Sequence, residues 1–153
     1  MNHECIDLGL PSGLKWATCN IGADSPEECG DYFAWGETKP KDEYTEYNSL
    51  TYHKNIATSK NRLWNISGKL KYDAATANWG EEWRMPTKDE MLELVTVCKL
   101  EKDTMLNGKQ GFKIIGPNGN SIFLPYTCIC FEKERIEKSY CSFWTSSAFE
   151  GTG

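Results

Sequence analysis

Two cysteines separated by one residue, Cys128 and Cys130, have the spacing in this chain that comes nearest to a metal site. On a β-strand, side chains at positions i and i+2 share a face, so both thiols could reach one metal ion. Cys141 lies close to them in sequence. A structural zinc site needs four ligands, and this pair alone is a poor match. We therefore predict buried, inert thiols, with no metal and no cofactor.

Two charged residues, Glu37 and Arg84, could serve as a catalytic acid and an anion clamp, because each belongs to a short string that carries a tryptophan. The alternative is a partly buried ion pair or a network of bonds to the backbone, since such contacts commonly hold irregular segments. We favour this structural role for both residues.

Histidine offers little further chemistry, because His3 and His53 are the only two in the chain. Neither has a cysteine or an acid at the spacing of a nucleophile or a metal ligand, so we interpret both as surface residues. No esterase elbow, zinc-protease helix motif or phosphate-binding loop is present in the sequence. We predict no catalytic residues and a protein that is not an enzyme.

Length and composition are those of one globular domain, which we expect to span 1–153. The net charge is −5 and basic residues do not cluster, which argues against nucleic-acid binding. No apolar run approaches the roughly 20 residues that span a bilayer, and the N-terminus lacks the pattern of a signal peptide. Seven cysteines are an odd number, so at least one is free or pairs outside the chain.

The first part of the chain predicts a hairpin followed by irregular structure. Alternating segments at 5–10 and 14–19 flank a turn at 11–13. A short helix is expected from Ser25 through the proline and acids that follow it. Residues 32–35 are expected to be extended, and 38–70 form a long polar loop without a clear period.

The second part predicts two helices and a further hairpin. Asp73 begins a short helix that ends at Gly80, and Thr87 with Glu90 forms a capping box for a helix beginning at Lys88. The hairpin pairs 111–115 with 121–125, the charged run 132–138 is expected to be a loop, and 139–147 a last strand or rim. The apolar face of the second helix is expected to consist of Met91, Leu94, Val95 and Cys98.

Taken in order, several strings resemble the Fibrobacter succinogenes major paralogous domain family, which is abundant in gut Bacteroidota. The strings lie at 6–17, 26–28, 35–37, 72–75, 83–87, 119–125 and 144–147, nearly the whole chain. The resemblance implies an α+β fold of the C-type-lectin-like superfold, shared with formylglycine-generating-type domains. We expect short antiparallel hairpins, one or two helices and much irregular structure, packed around tryptophans.

Two departures from the family pattern affect this expectation. After Leu124-Pro125 the family continues with small residues, whereas this chain has Tyr126 and then cysteines and charges. Family members also extend several dozen residues beyond the string at 144–147. We therefore expect a domain that is truncated at its C-terminus. An unclosed sheet would leave an open edge for self-association.

Tryptophans recur in the strings that resemble the family, and their default role is structural, because large aromatic side chains contribute most to core packing. The alternative is that they line a ligand cleft. We expect indole N–H groups to reach backbone carbonyls. Together with Glu37 and Arg84, the residues assigned this structural role are Trp16, Trp35, Trp83 and Trp144.

The function favoured by these observations is non-enzymatic binding of a protein or glycan by a surface or secreted bacterial module. Aromatic residues and long polar loops on a scaffold are typical of recognition domains. The string Trp144-Thr145-Ser146 lacks the carboxylate of a lectin calcium site, so no such site is expected. The candidate binding surface combines the loop 44–52 with Tyr126, Tyr140 and Phe149.

Two alternatives to a binding module stay open at this point. The first is a degenerate relative of the formylglycine-generating oxidases, in which Cys128 and Cys130 would bind copper. The second is a structural subunit whose open edge is completed by another chain. The resemblance favours an extracellular or cell-surface location.

Overall fold

The computed structural model describes residues 3–52, 62–127, 129–131, 134–136 and 141–148. Within these ranges the fold is mixed α/β, and its sheets include a two-stranded and a three-stranded antiparallel sheet. The elements, in chain order, are β1 (Cys5–Asp7), β2 (Lys15–Ala17), α1 (Ala74–Trp79), α2 (Lys88–Val97), β3 (Lys99–Leu106), β4 (Lys109–Ile115), β5 (Ser121–Pro125), β6 (Ile129–Phe131) and β7 (Glu134–Ile136).

The chain divides into two compact units, each described by itself below. The first unit comprises Met1–Asp31, Asp89–Ile129 and Ile136–Phe143. The second comprises Tyr32–Lys88, Cys130–Arg135 and Trp144–Gly153. The expectation of a single domain over 1–153 stays a prediction. Among the described helices, none is long and apolar enough to cross a membrane.

The predicted first hairpin is confirmed in the first unit. Strands β1 and β2 pair antiparallel, with Ile6 opposite Trp16. The turn closes through a bond from Gly13 N–H to the Leu10 carbonyl at 2.9 Å. Gly13 has a φ of +72°, which glycine adopts at little cost.

The larger sheet of this unit has the order β3-β4-β5. The predicted hairpin of β4 and β5 is confirmed, with Ile115 opposite Ser121 beside the turn. Strand β3 was not predicted, because its charged sequence shows no clean alternation. Asn107-Gly108 was the available signal: both have positive φ in the β3–β4 turn, and this dipeptide is a strong hairpin marker.

The core of the first unit is built from aliphatic side chains rather than tryptophans. The buried cluster contains Leu8, Leu10, Leu94, Cys98, Ile114 and Ile122. Trp16 is half-buried and packs against this cluster. The expectation of a fold packed around tryptophans is therefore wrong for this unit. Short aliphatic side chains from a helix, a hairpin and a sheet interdigitate more closely than indole rings would.

Helix α2 begins at Lys88, as the capping box predicted, but its buried face is narrower than expected. Leu94 and Cys98 are buried and Met91 is half-buried. Val95 is 43% exposed, so its assignment to the apolar face is wrong. The neighbouring elements cover a stripe centred on Leu94, and Val95 lies 100° further around the helix axis, as the approximate geometry of 3.6 residues per turn requires.

Helix α1 in the second unit begins and ends at the residues predicted for it. Asp73 is the N-cap and accepts a hydrogen bond from Thr76 N–H at 3.0 Å. Gly80 is the C-cap, with a φ of +103°. A side-chain acceptor before the helix and a glycine after it satisfy backbone groups that the helix cannot.

Two other local predictions need correction. The expected helix after Ser25 is only a turn, closed by a bond from Glu28 N–H to the Ser25 carbonyl at 3.2 Å. The extended segment expected at 32–35 belongs to no sheet. The charged run expected to be a loop contains β7, which forms a two-stranded sheet with β6. The described parts of 38–70 contain no α-helix or multi-residue strand, as expected.

Candidate functional site

The loop 44–52 of the second unit is held by a buried carboxylate. Glu37 is almost completely buried, and its Oε1 accepts the backbone N–H of Leu50 at 2.9 Å. Its Oε2 lies 2.6 Å from the Lys41 Nζ. A charge-assisted bond to a backbone N–H is stronger than a neutral one, so Glu37 fixes the end of the loop.

The start of the loop is closed by Asn48. Its Nδ2 donates to the Glu43 carbonyl at 2.9 Å, and its Oδ1 accepts the N–H of Thr45 at 3.2 Å. The Lys41 ammonium, already paired with Glu37, also donates to the Asn48 carbonyl at 2.7 Å. In this loop, hydrogen bonds from side chains to nearby backbone groups take the place of the backbone hydrogen bonds of a helix or sheet.

A close approach of backbone secures the far end of the loop. The Thr51 hydroxyl donates to the Trp35 carbonyl. Gly36 has a φ of +75°, and a Cβ there would lie 2.7 Å from Thr51 Cγ2. Position 36 therefore requires glycine, because of its positive φ and because a Cβ would collide with Thr51.

This ordered loop exposes large side chains to solvent. Tyr47 is 85% exposed and Leu50 is 69% exposed, and half of the Tyr52 side chain is also accessible. We call the segment 44–52 the tyrosine loop. The backbone of this loop is already fixed by hydrogen bonds. Contact between its exposed side chains and a ligand therefore costs little further backbone entropy.

Two tryptophans predicted to be structural, Trp35 and Trp144, each donate a hydrogen bond to the chain segment that contains the other. The Trp35 indole N–H donates to the Thr145 carbonyl at 2.8 Å. The Trp144 indole N–H donates to the Phe33 carbonyl at 2.7 Å. Trp144 is nevertheless 57% exposed, so its ring is a surface feature rather than a core side chain. The reciprocal bonds show how both indoles reach backbone carbonyls.

Trp83 and Arg84 lie on the neighbouring string of the second unit. The Trp83 ring meets the Trp79 ring edge-on, with centroids 5.0 Å apart. Arg84 is exposed, and its Nη1 lies 3.4 Å from Ser67 Oγ. Glu37 forms an ion pair with Lys41, a partner that the sequence pattern did not indicate.

Tyr126, the first of the three single residues predicted for binding, lies in the first unit at a bulge in β3. Its hydroxyl donates to Asp103 Oδ1 at 2.7 Å, and its ring packs edge-on against Phe112. The bond to Asp103 raises the pKa of the Tyr126 hydroxyl. Asp103 has a φ of +55°, so Tyr126 also stabilises an unusual backbone conformation. Tyr140 and Phe149 lie outside the described residues.

Of the cysteines considered for a metal, Cys128 lies outside the described residues, and the structure describes only the backbone of Cys130, in β6. Cys141 Sγ donates to the carbonyls of Pro125 and Leu124 at 3.2 and 3.3 Å. Burial raises the pKa of the Cys141 thiol to about 12. Within the described part of the chain, no group of three or more His, Cys, Asp and Glu side chains is arranged to hold a metal.

No family model, curated protein or solved structure matches this chain. The resemblance to the Fibrobacter succinogenes major paralogous domain family therefore stays a prediction. The tyrosine loop is the described feature with the clearest geometry for contact with a partner.

Proposed function

We propose that this chain is a non-enzymatic binding module with a C-type-lectin-like fold, acting at the bacterial surface or after secretion. Its tyrosine loop contacts a protein or a glycan. The observation that carries this proposal is the combination of a fixed backbone at 44–52 with the high exposure of Tyr47 and Leu50.

Exposed apolar side chains on an ordered loop support recognition for two reasons. Solvent contact of Tyr47 and Leu50 leaves apolar surface that a partner can remove from water. Tyrosine supplies a large contact area with few rotatable bonds and a hydroxyl for hydrogen bonding, which makes it common in binding surfaces.

The electrostatic support of the loop favours the same role. The buried Glu37 carboxylate and the Lys41 ammonium neutralise each other, and both bond to loop backbone. The loop is thus preorganised by groups beneath it, while its outward side chains remain available. Preorganisation of this kind lowers the entropic cost of binding.

The test is a screen of the full chain on a glycan array and an array of extracellular proteins. The double variant Tyr47→Ser, Leu50→Ser should abolish binding to the ligands that the parent chain retains. Leu70→Ser is the matched control, because Leu70 is also an exposed apolar residue of the second unit, outside the loop. Unchanged binding by the double variant, or no ligand on either array, would contradict the proposal.

A second variant separates loop order from side-chain contact. Glu37→Ala removes the acceptor of Leu50 N–H and leaves Lys41 without its ion partner. We expect at least a tenfold loss of affinity with Tyr47 and Leu50 still present, because the loop must then be ordered on binding. Glu46→Ala, an exposed acid within the loop, should bind as the parent does.

A further inference from the structure

The three-stranded sheet of the first unit has a second face, and its Phe123 is itself buried, with 8% of the residue exposed. Ile114 and Ile122 belong to the core cluster and lie on one face. Because side chains alternate along a strand, Lys113 and Phe123 lie on the other face, where they are directly opposed across β4 and β5. This second face therefore combines an ammonium group with an aromatic ring.

A glycine shapes the floor of this face. A Cβ on Gly111 would lie 2.7 Å from Phe123 Cζ and 2.3 Å from the Leu124 carbonyl oxygen. The Phe123 ring thus occupies the space above Gly111. Lys113 follows two residues later on the same side of β4, so its aliphatic stem and the ring form adjacent walls.

An open depression of about 320 Å³ lies over this face. Pro26, Leu106 and Phe123 contribute apolar wall, and Thr104, Lys113 and Ser121 contribute polar groups. This volume is at the lower end of the range of small-molecule sites. Such a lining suits an elongated ligand with one polar end better than it suits a ligand that is polar throughout.

Among the described residues that line the depression, Lys113 is the only charged one. Among the described residues, neither its ammonium nor the Ser121 hydroxyl has a hydrogen-bond or ion-pair partner. The nearest acid across the strands is Glu101, which bonds to Lys99 Nζ at 2.8 Å. Lys99 lowers the pKa of Glu101 most strongly, and Lys113 adds a smaller effect of the same sign. The Lys113 ammonium therefore interacts with Glu101 through charge alone and keeps its hydrogen-bond donors for a ligand.

Two acids that follow the lining residue Pro26 in sequence add negative charge to this part of the unit. Glu27 follows Pro26 directly, and its Oε1 accepts Asn107 Nδ2 at 2.8 Å. Glu28 Oε2 accepts the N–H of Asp24 at 2.8 Å. These carboxylates disfavour a phosphate or a dicarboxylate through like-charge repulsion, whereas a single carboxylate can pair with Lys113.

We propose that the depression between Lys113, Ser121 and Phe123 binds a small amphiphilic monocarboxylate. The carboxylate pairs with the Lys113 ammonium and accepts the Ser121 hydroxyl, and the apolar body lies against Leu106 and the 8% of Phe123 that is exposed. This site belongs to the first unit and is independent of the tyrosine loop.

The experiment titrates the full chain with octanoate and, in parallel, with the uncharged octanamide, followed by amide chemical shifts and calorimetry. We expect saturable binding of one octanoate, with shifts in β4 and β5, and at least tenfold weaker binding of octanamide. Lys113→Met should weaken octanoate binding at least tenfold. Lys15→Met removes an exposed lysine of the same unit outside the lining and should leave binding unchanged.

Three results would overturn the proposal: no saturable octanoate binding, equal affinity for octanamide, or an unaltered affinity in Lys113→Met. Should that variant fail to fold, Lys113→Gln tests the same charge with a polar side chain. Ser121→Leu offers an independent check, because it fills the depression at its edge and should abolish binding while Lys113 is retained.

Discussion

The carboxylate of Asp73 accepts the backbone N–H of Met85 with both of its oxygens, at 3.1 and 2.9 Å. The same side chain accepts Thr76 N–H and Gly68 N–H at 3.0 and 2.8 Å. Asp73 is completely buried. One side chain therefore caps α1 and joins it to the preceding loop and to the string at 83–87, through charge-assisted bonds that a neutral residue cannot reproduce.

The first prediction follows from this carboxylate. Asp73→Asn should lower the free energy of unfolding by about 2–3 kcal/mol, because an amide NH₂ would face backbone N–H donors and leave one of them unsatisfied. Urea denaturation followed by tryptophan fluorescence measures the change. Five of the six tryptophans lie in the second unit, which contains Asp73. Glu81→Gln, at an exposed acid of the same unit, should change stability by less than about 0.5 kcal/mol.

A second prediction contrasts two buried hydroxyls. The Thr76 hydroxyl donates to the Trp83 carbonyl at 2.8 Å, whereas the Ser146 hydroxyl has no partner among the described residues. Thr76→Val should cost about 1–2 kcal/mol by leaving a carbonyl unsatisfied, and Ser146→Ala should be neutral or stabilising. Urea denaturation of both variants provides the measurement, and a larger loss for Ser146→Ala would refute the contrast.

The third prediction concerns thiol reactivity and pH. Burial raises the pKa of Cys141 from 9.0 to about 12, so alkylation by iodoacetamide at pH 8 should be much slower at Cys141 than at the exposed Cys5. Peptide mass spectrometry at successive times measures both rates. Because the folded state keeps this proton while the unfolded state loses it, stability should be unaffected below about pH 9 and fall between about pH 9 and 12. Cys141→Ser should reduce that alkaline loss.

The elements that sequence could predict are those with local signals. Asp73 and Gly80 delimit α1, and Thr87 with Glu90 marked the start of α2, because helix ends need particular residues to satisfy backbone groups. The hairpin turns were likewise marked by glycine and proline. The tyrosine loop was predicted as a surface from its polar composition, and its described residues are irregular, with exposed aromatics.

What sequence could not predict depends on contacts between distant residues. Strand β3 carries a bulge between Glu101 and Thr104 and pairs along its length only because β4 supplies the partner. The pairing of Glu37 with Lys41 depends on how the backbone turns between them. Trp144 is a large aromatic residue of the kind often found in cores, yet 57% of it is exposed. Its exposure depends on which other residues pack over it.

The last prediction tests this limit on helix α2, where periodicity assigned Leu94 and Val95 to the same face. Leu94 is completely buried and Val95 is 43% exposed. Leu94→Ala should therefore cost about 2–5 kcal/mol through lost burial and a cavity beside Leu8 and Ile114, whereas Val95→Ala should cost less than about 0.5 kcal/mol. Urea denaturation followed by backbone amide NMR signals of the first unit measures both. Equal losses would mean that Val95 is covered in solution and that the originally predicted, wider face is correct.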